Sequence, residues 1–301
     1  MENTAGQNAG FQVNNKLKSY IKLFRPKQWI KNLFVFAALV FSNNILHPNL
    51  LERTLLCFVL FCAASSSVYI LNDMIDASKD RLHPKKKFRP IASGAISKTE
   101  ALVLLFILVP AVLISSFIFS KLLFVLILVY FTNNLLYCFV LKNLVIIDVM
   151  SIAVGFILRV ISGCIAIDVF ISPWLLLCTL LLSLFLGFSK RRNELIVLEE
   201  KAEHHRKILD EYSLEFIDKM LSIIISSTVM AYTLYTFNTR SNYYLMSTIP
   251  FVLYGIFRYQ YIIYKKNEGG SPEEVVLSDK PLLIDMILWV LSSAAIIYFT
   301  A

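Results

Sequence analysis

The stretch "YILNDMIDASKDRLHPKKKFRPIASG", residues 69–94, places three aspartates and six basic residues directly behind an apolar run. That run, "LLCFVLFCAASSSVYIL" at 55–71, has the length and composition of a membrane helix. Ionisable groups at the boundary of such a helix are expensive unless they have a partner, so they indicate a functional site. The stretch therefore predicts a membrane helix that ends in a polar site.

The composition extends this prediction to the whole chain. Its 301 residues are 57% hydrophobic and 17% charged, and the mean hydropathy is +0.66. Apolar residues fall in runs near the hydrocarbon thickness of a bilayer, and backbone groups in lipid must be hydrogen-bonded within their own segment. We predict an all-α polytopic membrane protein with nine transmembrane helices, at about 28–47, 51–71, 100–119, 122–141, 144–167, 173–189, 216–237, 243–264 and 282–300.

The first residues of the chain differ from the rest. The first 27 are polar and contain no apolar core, so no cleavable signal peptide is expected. We interpret residues 1–20 as a disordered tail and residues 21–301 as one transmembrane domain.

The distribution of basic residues predicts the orientation. With the N-terminus in the cytoplasm and the C-terminus outside, 24 of the 29 Lys and Arg residues fall on the cytoplasmic side. The net charge of +8 then belongs to one membrane face. Anionic lipid headgroups or a phosphorylated substrate explain it better than nucleic acid. We expect a multi-pass protein of the cell membrane whose active site faces the cytoplasm.

The cysteines give no sign of a metal site or a disulfide framework. All five lie in predicted spans without paired metal-ligand spacing, which favours buried free thiols: Cys57, Cys62, Cys138, Cys164 and Cys178.

If the second span continues as a helix, its polar end acquires one acidic face. Four oxygen-bearing side chains then lie within about 100° of one another around the helix axis: Asn72, Asp73, Asp76 and Asp80. Carboxylates this close repel one another unless a cation lies between them, and hard oxygen ligands suit Mg²⁺ bridged to phosphate. The alternative is a solvated helix end with incidental acids.

The basic residues that follow form a loop beside this face. Lys86 and Arg89 come after the helix-ending "HP" and could neutralise a diphosphate leaving group. A polybasic segment that attracts anionic lipid and fixes the topology is the alternative.

A second cytoplasmic cluster, "GFSKRRNELIVLEE" at 187–200, ends the sixth span. Lys190, Arg191 and Glu194 lie at about 0°, 100° and 40°, again on one helical face. The repeated spacing indicates two related half-bundles flanking one pocket. A stop-transfer role for the basic residues is the alternative.

Two arginines lie within predicted spans and need a partner or a hydrated cavity. These are Arg159 in "GFILRVISG" and Arg258 in "GIFRYQYIIYK", and we expect Asp148 to pair with one of them. The alternative is an ion pair with a purely structural role. Tyr137 and Lys142 close the fourth span on the cytoplasmic side and can reach the same cavity.

At these residues a family resemblance becomes specific. "NDMIDASKD" followed by "HPKKKFRPIASGAIS" resembles the first aspartate-rich motif of the UbiA superfamily of intramembrane transferases. The resemblance implies nine transmembrane helices around a cavity in which Mg²⁺ binds a diphosphate donor. Most members transfer a prenyl chain from its diphosphate to an aromatic acceptor.

The second motif departs from those prenyltransferases. They carry a second pair of aspartates there, whereas this chain has "SKRRNEL". It is similar instead to the decaprenyl-phosphate phosphoribosyltransferase branch, as are "LFRPKQWIKNLFVFAALVFS" at 23–42 and "GFILRVISG". That branch implies transfer of a 5-phosphoribosyl group from phosphoribosyl diphosphate to a polyprenyl phosphate lipid. A prenyltransferase with an altered second motif is the alternative, and a transporter or lipid-binding scaffold is a third.

The resemblance implies these roles for individual residues. The metal ligands are Asn72, Asp73, Asp76 and Asp80. The catalytic residues are Asp73, Asp76, Lys190, Arg191 and Glu194. The substrate-binding residues are Lys31, Asn32, Asp80, Lys86, Arg89, Tyr137, Lys142, Arg159 and Arg258.

Overall fold

The computed structural model describes residues 16–82, 86–199, 207–238, 243–266 and 270–300. Within these ranges the chain is helical and contains no strand, which confirms the predicted all-α class. The α-helices are α1 (residues 16–24), α2 (Ala37–Phe41), α3 (Pro48–Leu82), α4 (Lys98–Phe119), α5 (Lys121–Phe139), α6 (Ile147–Ala166), α7 (Pro173–Glu199), α8 (Leu214–Asn238), α9 (Ile249–Lys265), α10 (Pro272–Ser278) and α11 (Lys280–Thr300). Short 3₁₀ helices are Pro26–Phe36, Lys86–Phe88, Leu141–Asn143, Lys207–Glu211 and Tyr243–Thr248. Of the predicted tail, residues 1–15 lie outside the described residues, and 16–20 belong to α1.

Seven of these helices are long and apolar enough to cross a membrane, and they are α3, α4, α5, α6, α7, α8 and α11. Large apolar side chains point outward from them, such as Phe106 and Ile118. Apolar surface on this scale would be unfavourable in water and indicates contact with lipid. The chain is an integral membrane protein.

The two remaining predicted spans are helical but divided. The segment predicted at 28–47 begins as the 3₁₀ helix Pro26–Phe36 and ends in the short α2. Residues three apart eclipse on a 3₁₀ helix, so Trp29 and Asn32 both reach the serines of α3: Trp29 Nε1 donates to Ser66 Oγ (3.1 Å) and Asn32 Nδ2 to Ser65 Oγ (3.2 Å). The segment predicted at 243–264 becomes α-helical only at Ile249, where Pro250 supplies a helix-starting φ angle.

Helix α3 contains the apolar run at 55–71 and the acidic residues that follow it. Its 35 residues span about 52 Å, well beyond the hydrocarbon thickness of about 30 Å. The apolar part fills a bilayer, and the polar end continues as helix to Leu82. The helical continuation assumed for the acidic face is therefore confirmed.

The chain divides into two compact units. The first comprises residues up to 32 together with 59–131, and its core packs α1 against the polar end of α3 and the start of α4. Helix α4 begins with a complete capping box, in which Ser97 and Glu100 bond each other's backbone N–H groups. This cap fixes the chain after the basic loop.

The second unit comprises residues 33–58 and 132–301. Its core is formed by side chains of α6, α7, α8, α9 and the chain around Tyr212. Helix α6 comes very close to the end of the 3₁₀ helix Pro26–Phe36, since a Cβ atom placed on Gly163 would lie 2.1 Å from the backbone oxygen of Val35. All five cysteines are free, and four are buried while Cys178 is half-buried, which confirms the prediction of free thiols.

Candidate active site

The acidic face lies in the first unit, on the last three turns of α3. Asp73 is 2% exposed and Asp80 is also buried, whereas Asn72 and Asp76 are half-buried. Burying carboxylates is costly unless a positive group compensates their charge. The burial therefore raises the question of which cations they contact.

Two arginines supply the compensating charge. Arg25 Nη2 donates to Asp73 Oδ1, and Arg89 Nη1 lies 3.1 Å from Asp73 Oδ1 and 2.6 Å from Asp80 Oδ2. The guanidinium of Arg25 also lies over the ring of Tyr69, 5.0 Å from its centroid. Arg89 was predicted to lie beside the acidic face, and it does. Arg25 was missed, because its partner is 48 positions away and no local pattern connects them.

Arg25 also has an unusual backbone. Its φ of 53° is in the left-handed region, which non-glycine residues seldom adopt, and it directly precedes Pro26. Such outliers persist when surrounding contacts hold them, and they concentrate at functional sites. The side chain of Arg25 contacts Asp73 and Tyr69, and its backbone N–H donates to the Lys22 carbonyl (3.2 Å).

The donor set of this face fits Mg²⁺ in its chemistry. It offers three carboxylates and one amide oxygen, and the guanidinium groups of Arg25 and Arg89 show that it attracts positive charge. Among the described residues, no three His, Cys, Asp or Glu side chains are gathered closely enough to form a complete metal site. The side chains are of the kind that Mg²⁺ prefers. Two of the carboxylates, Asp73 and Asp80, are ion-paired with arginine.

Three other predicted residues of this unit lie nearby in the chain. Lys31 Nζ donates to Gln28 Oε1 (2.7 Å), and the fully buried Asn32 binds Ser65 and Cys62 of α3. Asn32 therefore fastens the 3₁₀ segment to α3. Lys86 is half-buried in the turn Lys86–Phe88. Lys85, in the same basic run, lies outside the described residues.

The second motif lies in the other unit, at the end of α7. Arg191 is 1% exposed, and all three of its guanidinium nitrogens have partners. Nε donates to Asp148 Oδ2 (2.6 Å), Nη1 to Glu194 Oε2, and Nη2 to the hydroxyl of Tyr137 (3.2 Å). The fold thus brings together three predicted site residues, Arg191, Glu194 and Tyr137.

The partner of Asp148 differs from the prediction. Asp148 is fully buried and pairs with Arg191, not with Arg159 or Arg258. Asp148, at the start of α6, contacts Arg191 near the end of α7, whereas Arg159 lies three turns further along α6. The predicted pairing was wrong because the sequence does not show which helices pack together.

Tyr212 completes this network and was missed by the sequence analysis. Its hydroxyl donates to Asp148 Oδ1 (2.7 Å) and accepts from the backbone N–H of Ile146 (2.6 Å). Burial raises the pKa of the Tyr212 phenol well above its ordinary value of 10.0, so the hydroxyl keeps its proton and remains a donor.

The two arginines that were predicted to lie within spans have partners of their own. Arg159 is buried, donates from Nη1 to the Gly155 carbonyl (2.6 Å), and lies over Phe156. Arg258 makes a two-pronged contact with Asp279, at 3.1 Å from Nε and 2.9 Å from Nη2. The described contacts do not bring either arginine to the Arg191 network.

Two further predicted cations of this unit, Lys190 and Lys142, are partly accessible. Lys190 is half-buried, and Lys142 is half-buried in the turn Leu141–Asn143. Arg192, which the sequence analysis did not single out, donates from Nε to Asp218 (2.7 Å) and lies 3.9 Å from the ring centroid of Tyr264. Lys190 is thus the half-buried cation next to the buried Arg191.

Seven apolar helices, a carboxylate face on a membrane helix and a buried basic motif fit an intramembrane transferase. The family model for the UbiA prenyltransferase family matches residues 32–276, and this chain belongs to that family. In fold it is similar to a UbiA homologue from Archaeoglobus fulgidus solved with GPP and Mg²⁺. The TM-score is 0.71 and the identity 17%, over 93% of this chain and 99% of that one.

Two curated relatives are more specific. The chain is 34% identical to a decaprenyl-phosphate phosphoribosyltransferase of Mycolicibacterium smegmatis, over 95% of this chain and 94% of that protein. It is 32% identical to the enzyme of the same name from Corynebacterium glutamicum, over 94% of this chain and 88% of that one. The protein is therefore an enzyme, a membrane transferase similar to decaprenyl-phosphate phosphoribosyltransferases.

Proposed function

We propose that the protein transfers a 5-phosphoribosyl group from phosphoribosyl diphosphate to a polyprenyl phosphate lipid, with Mg²⁺ as cofactor. The observation that carries this proposal is the second motif. At the end of α7, where a further metal would require carboxylates, the chain has Lys190 and Arg191 with the single carboxylate of Glu194. The similarity to named phosphoribosyltransferases over nearly the whole chain supports the same reaction.

The charges of the proposed donor match the chemistry of the two motifs, each considered in its own unit. A prenyl diphosphate is charged at one end only, whereas phosphoribosyl diphosphate carries a diphosphate at C1 and a phosphate at C5. The first group suits a carboxylate face that holds a metal, and the second suits cationic side chains. Lys190, half-buried at the end of α7, is our candidate for a phosphate ligand.

On the acidic face, Mg²⁺ would be held by Asn72, Asp73, Asp76 and Asp80. When bound, the ion supplies neutralising charge to the diphosphate. Arg25 and Arg89, which contact Asp73 and Asp80, place two more positive charges at this face. These guanidinium groups stabilise negative charge that develops on the leaving diphosphate.

The nucleophile that attacks the ribose is an oxygen of the acceptor phosphate itself. One of its oxygens forms the new bond to ribose C1 as the bond from C1 to the diphosphate oxygen breaks, and the diphosphate leaves with the electron pair. A phosphate monoester is an anion at neutral pH, so no side chain has to remove a proton. Glu194 can then accept a hydrogen bond from a ribose hydroxyl, since its carboxylate is only partly buried.

The proposal includes a membrane orientation. Nine helices cross the cell membrane, with the N-terminus and both motifs on the cytoplasmic side and the C-terminus outside. The 24 basic residues assigned to one side by the sequence support this arrangement. The lipid acceptor would present its phosphate at the level of the cytoplasmic headgroups.

Donor choice tests the proposal directly. Purified full-length protein in detergent is incubated with decaprenyl phosphate and labelled phosphoribosyl diphosphate, with Mg²⁺ or with EDTA. We expect a labelled lipid only when Mg²⁺ is present. The parallel reaction offers geranylgeranyl or farnesyl diphosphate with 4-hydroxybenzoate, and we expect no product. Prenyl transfer without phosphoribosyl transfer would establish the prenyltransferase instead.

A further inference from the structure

A buried chain of hydrogen bonds lies within the second unit, behind the second motif. Its centre is Asp148, which is 0% exposed and uses both carboxylate oxygens. Oδ2 accepts from Arg191 Nε, and Oδ1 accepts from the hydroxyl of Tyr212. The chain thus joins three elements, namely the start of α6, the end of α7 and the segment before α8.

The guanidinium of Arg191, which Asp148 orients, also contacts two other side chains. Its two remaining nitrogens bind Glu194 and Tyr137, and at 1% exposure it presents no surface to a substrate. Glu194 keeps 28% of its side chain exposed. Arg191 is therefore built to hold Glu194 and Tyr137 in place, because its own donors are used within the protein.

Tyr212 holds this chain to an unusual backbone turn. Ile146 has a φ of 69°, and this is an outlier because branching at Cβ makes the left-handed region crowded. The backbone N–H of Ile146 donates to the same hydroxyl that donates to Asp148. One phenol oxygen therefore fixes both the entry of the chain into α6 and the orientation of the buried carboxylate.

We infer that Asp148 and Tyr212 are positioning residues for the transfer reaction, acting through Arg191 on Glu194 and Tyr137. The inference rests on the proposed function only in taking Glu194 and Tyr137 to face the substrate. Because Asp148 and Arg191 are both buried, water does not screen their ion pair, and the carboxylate fixes the orientation of the guanidinium. Loss of these hydrogen bonds would let Glu194 and Tyr137 shift from the positions in which they are taken to contact the substrate.

Tyr212→Phe is the most conservative test, because it removes one oxygen and keeps the ring. Tyr232→Phe is the matched control. Tyr232 is also buried in the second unit, and its hydroxyl shares hydrogen bonds with Thr248 (2.6 Å) and Trp289 (2.8 Å), away from the motif. Both variants lose hydrogen bonds of a buried phenol, so a purely structural effect lowers the melting temperature of both alike.

The measurements are kcat, KM for the donor and the melting temperature of the full-length protein in detergent. We expect Tyr212→Phe to lower kcat about tenfold, the loss typical of one hydrogen bond to a charged group. Tyr232→Phe should keep the wild-type kcat. Equal kcat values for the two variants, or a loss matched by the fraction of unfolded protein, would overturn the inference.

A double-mutant cycle tests whether Tyr212 affects the reaction through Glu194. If Tyr212 acts in part through Glu194, then Glu194→Gln together with Tyr212→Phe should lower kcat by less than the product of the two single losses. Additive losses would show that Tyr212 does not act on Glu194. The cycle is run with whichever donor the wild-type protein uses. A failed phosphoribosyl assay therefore rejects the proposed function without deciding this inference.

Discussion

At the scale of single residues, the acidic face of α3 shows how three similar side chains acquire different roles. Asp73 and Asp80 are buried against arginines, so their removal would leave a guanidinium group without its counter-ion. Asp76 is half-buried on the same face. It is the least buried of the three aspartates, so its substitution should disturb the fold less than substitution of Asp73 or Asp80.

We predict that Asp76→Asn lowers the Mg²⁺-dependent turnover about 100-fold or more, since even outer-shell partners of a metal cost 10- to 100-fold. The variant should bind donor weakly in the presence of Mg²⁺ and lower the melting temperature less than Asp73→Asn does. Glu215→Gln is the control, because that carboxylate pairs on the surface with Lys219 one turn away. Wild-type turnover by Asp76→Asn would remove Asp76 from the metal site.

A second residue-scale prediction concerns Asp279 and pH. Hydrogen bonds from the Arg258 guanidinium hold the pKa of Asp279 below its ordinary value of 3.8. A carboxylate with a lowered pKa stabilises the fold above its ordinary pKa, and this stabilisation is lost as the pH falls through the folded-state pKa. Asp279→Asn should therefore lower the melting temperature at neutral pH.

The gap between wild type and Asp279→Asn should close only in acid, below about pH 4. The measurement is the melting temperature of both proteins in detergent across that range. A gap that stays constant from neutral to acidic pH would show that the ionised pair does not stabilise the fold. Arg258 was predicted to bind substrate, so retained turnover in Arg258→Gln would assign it to this structural pair alone.

At the scale of elements, the close contact of α6 with the segment before α2 depends on one glycine. A methyl group on Gly163 would come within 2.1 Å of the Val35 backbone oxygen, so one of the two elements must move. Gly163→Ala is expected to lower the free energy of unfolding by about 1–3 kcal/mol. Denaturant titration of the purified protein measures this.

Gly255→Ala is the matched control for that substitution. Its methyl group would meet the end of the Asp285 side chain at 3.0 Å, which can rotate away more easily than a backbone carbonyl. A smaller loss is therefore expected. If the two variants were equally stable, the contact between Gly163 and Val35 would not be tight in the folded protein.

The same elements show what the sequence could predict. The continuous apolar run and the 3.6-residue period placed Asp73, Asp76 and Asp80 on one face, because both signals are local. The 3₁₀ form of Pro26–Phe36 was not foreseen, since contacts to the serines of α3 decide it. The contacts of Arg25 and Tyr212 were missed for the same reason, with partners 48 and 64 positions away.

At the scale of the whole molecule, the charge distribution and the proposed chemistry favour the same orientation. The proposed donor is phosphorylated, so both motifs should open to the side of the membrane that supplies it. The loop after α3 and the end of α7 carry those motifs, and basic residues concentrate in the same segments. Under the proposed orientation, retention of Lys and Arg in the cytoplasm during insertion would also place both motifs on the side of the proposed donor.

Cysteine labelling from either side of the membrane tests this orientation. Ser93 is exposed in the loop before α4, and Phe170 is 84% exposed between α6 and α7. Each is replaced by cysteine in a Cys178→Ser background, since the other four native thiols are buried. In intact cells a membrane-impermeant maleimide should label Phe170→Cys only, and Ser93→Cys should react only after the membrane is opened. Labelling of Ser93→Cys in intact cells would place the loop beside the acidic face outside, away from a cytoplasmic donor.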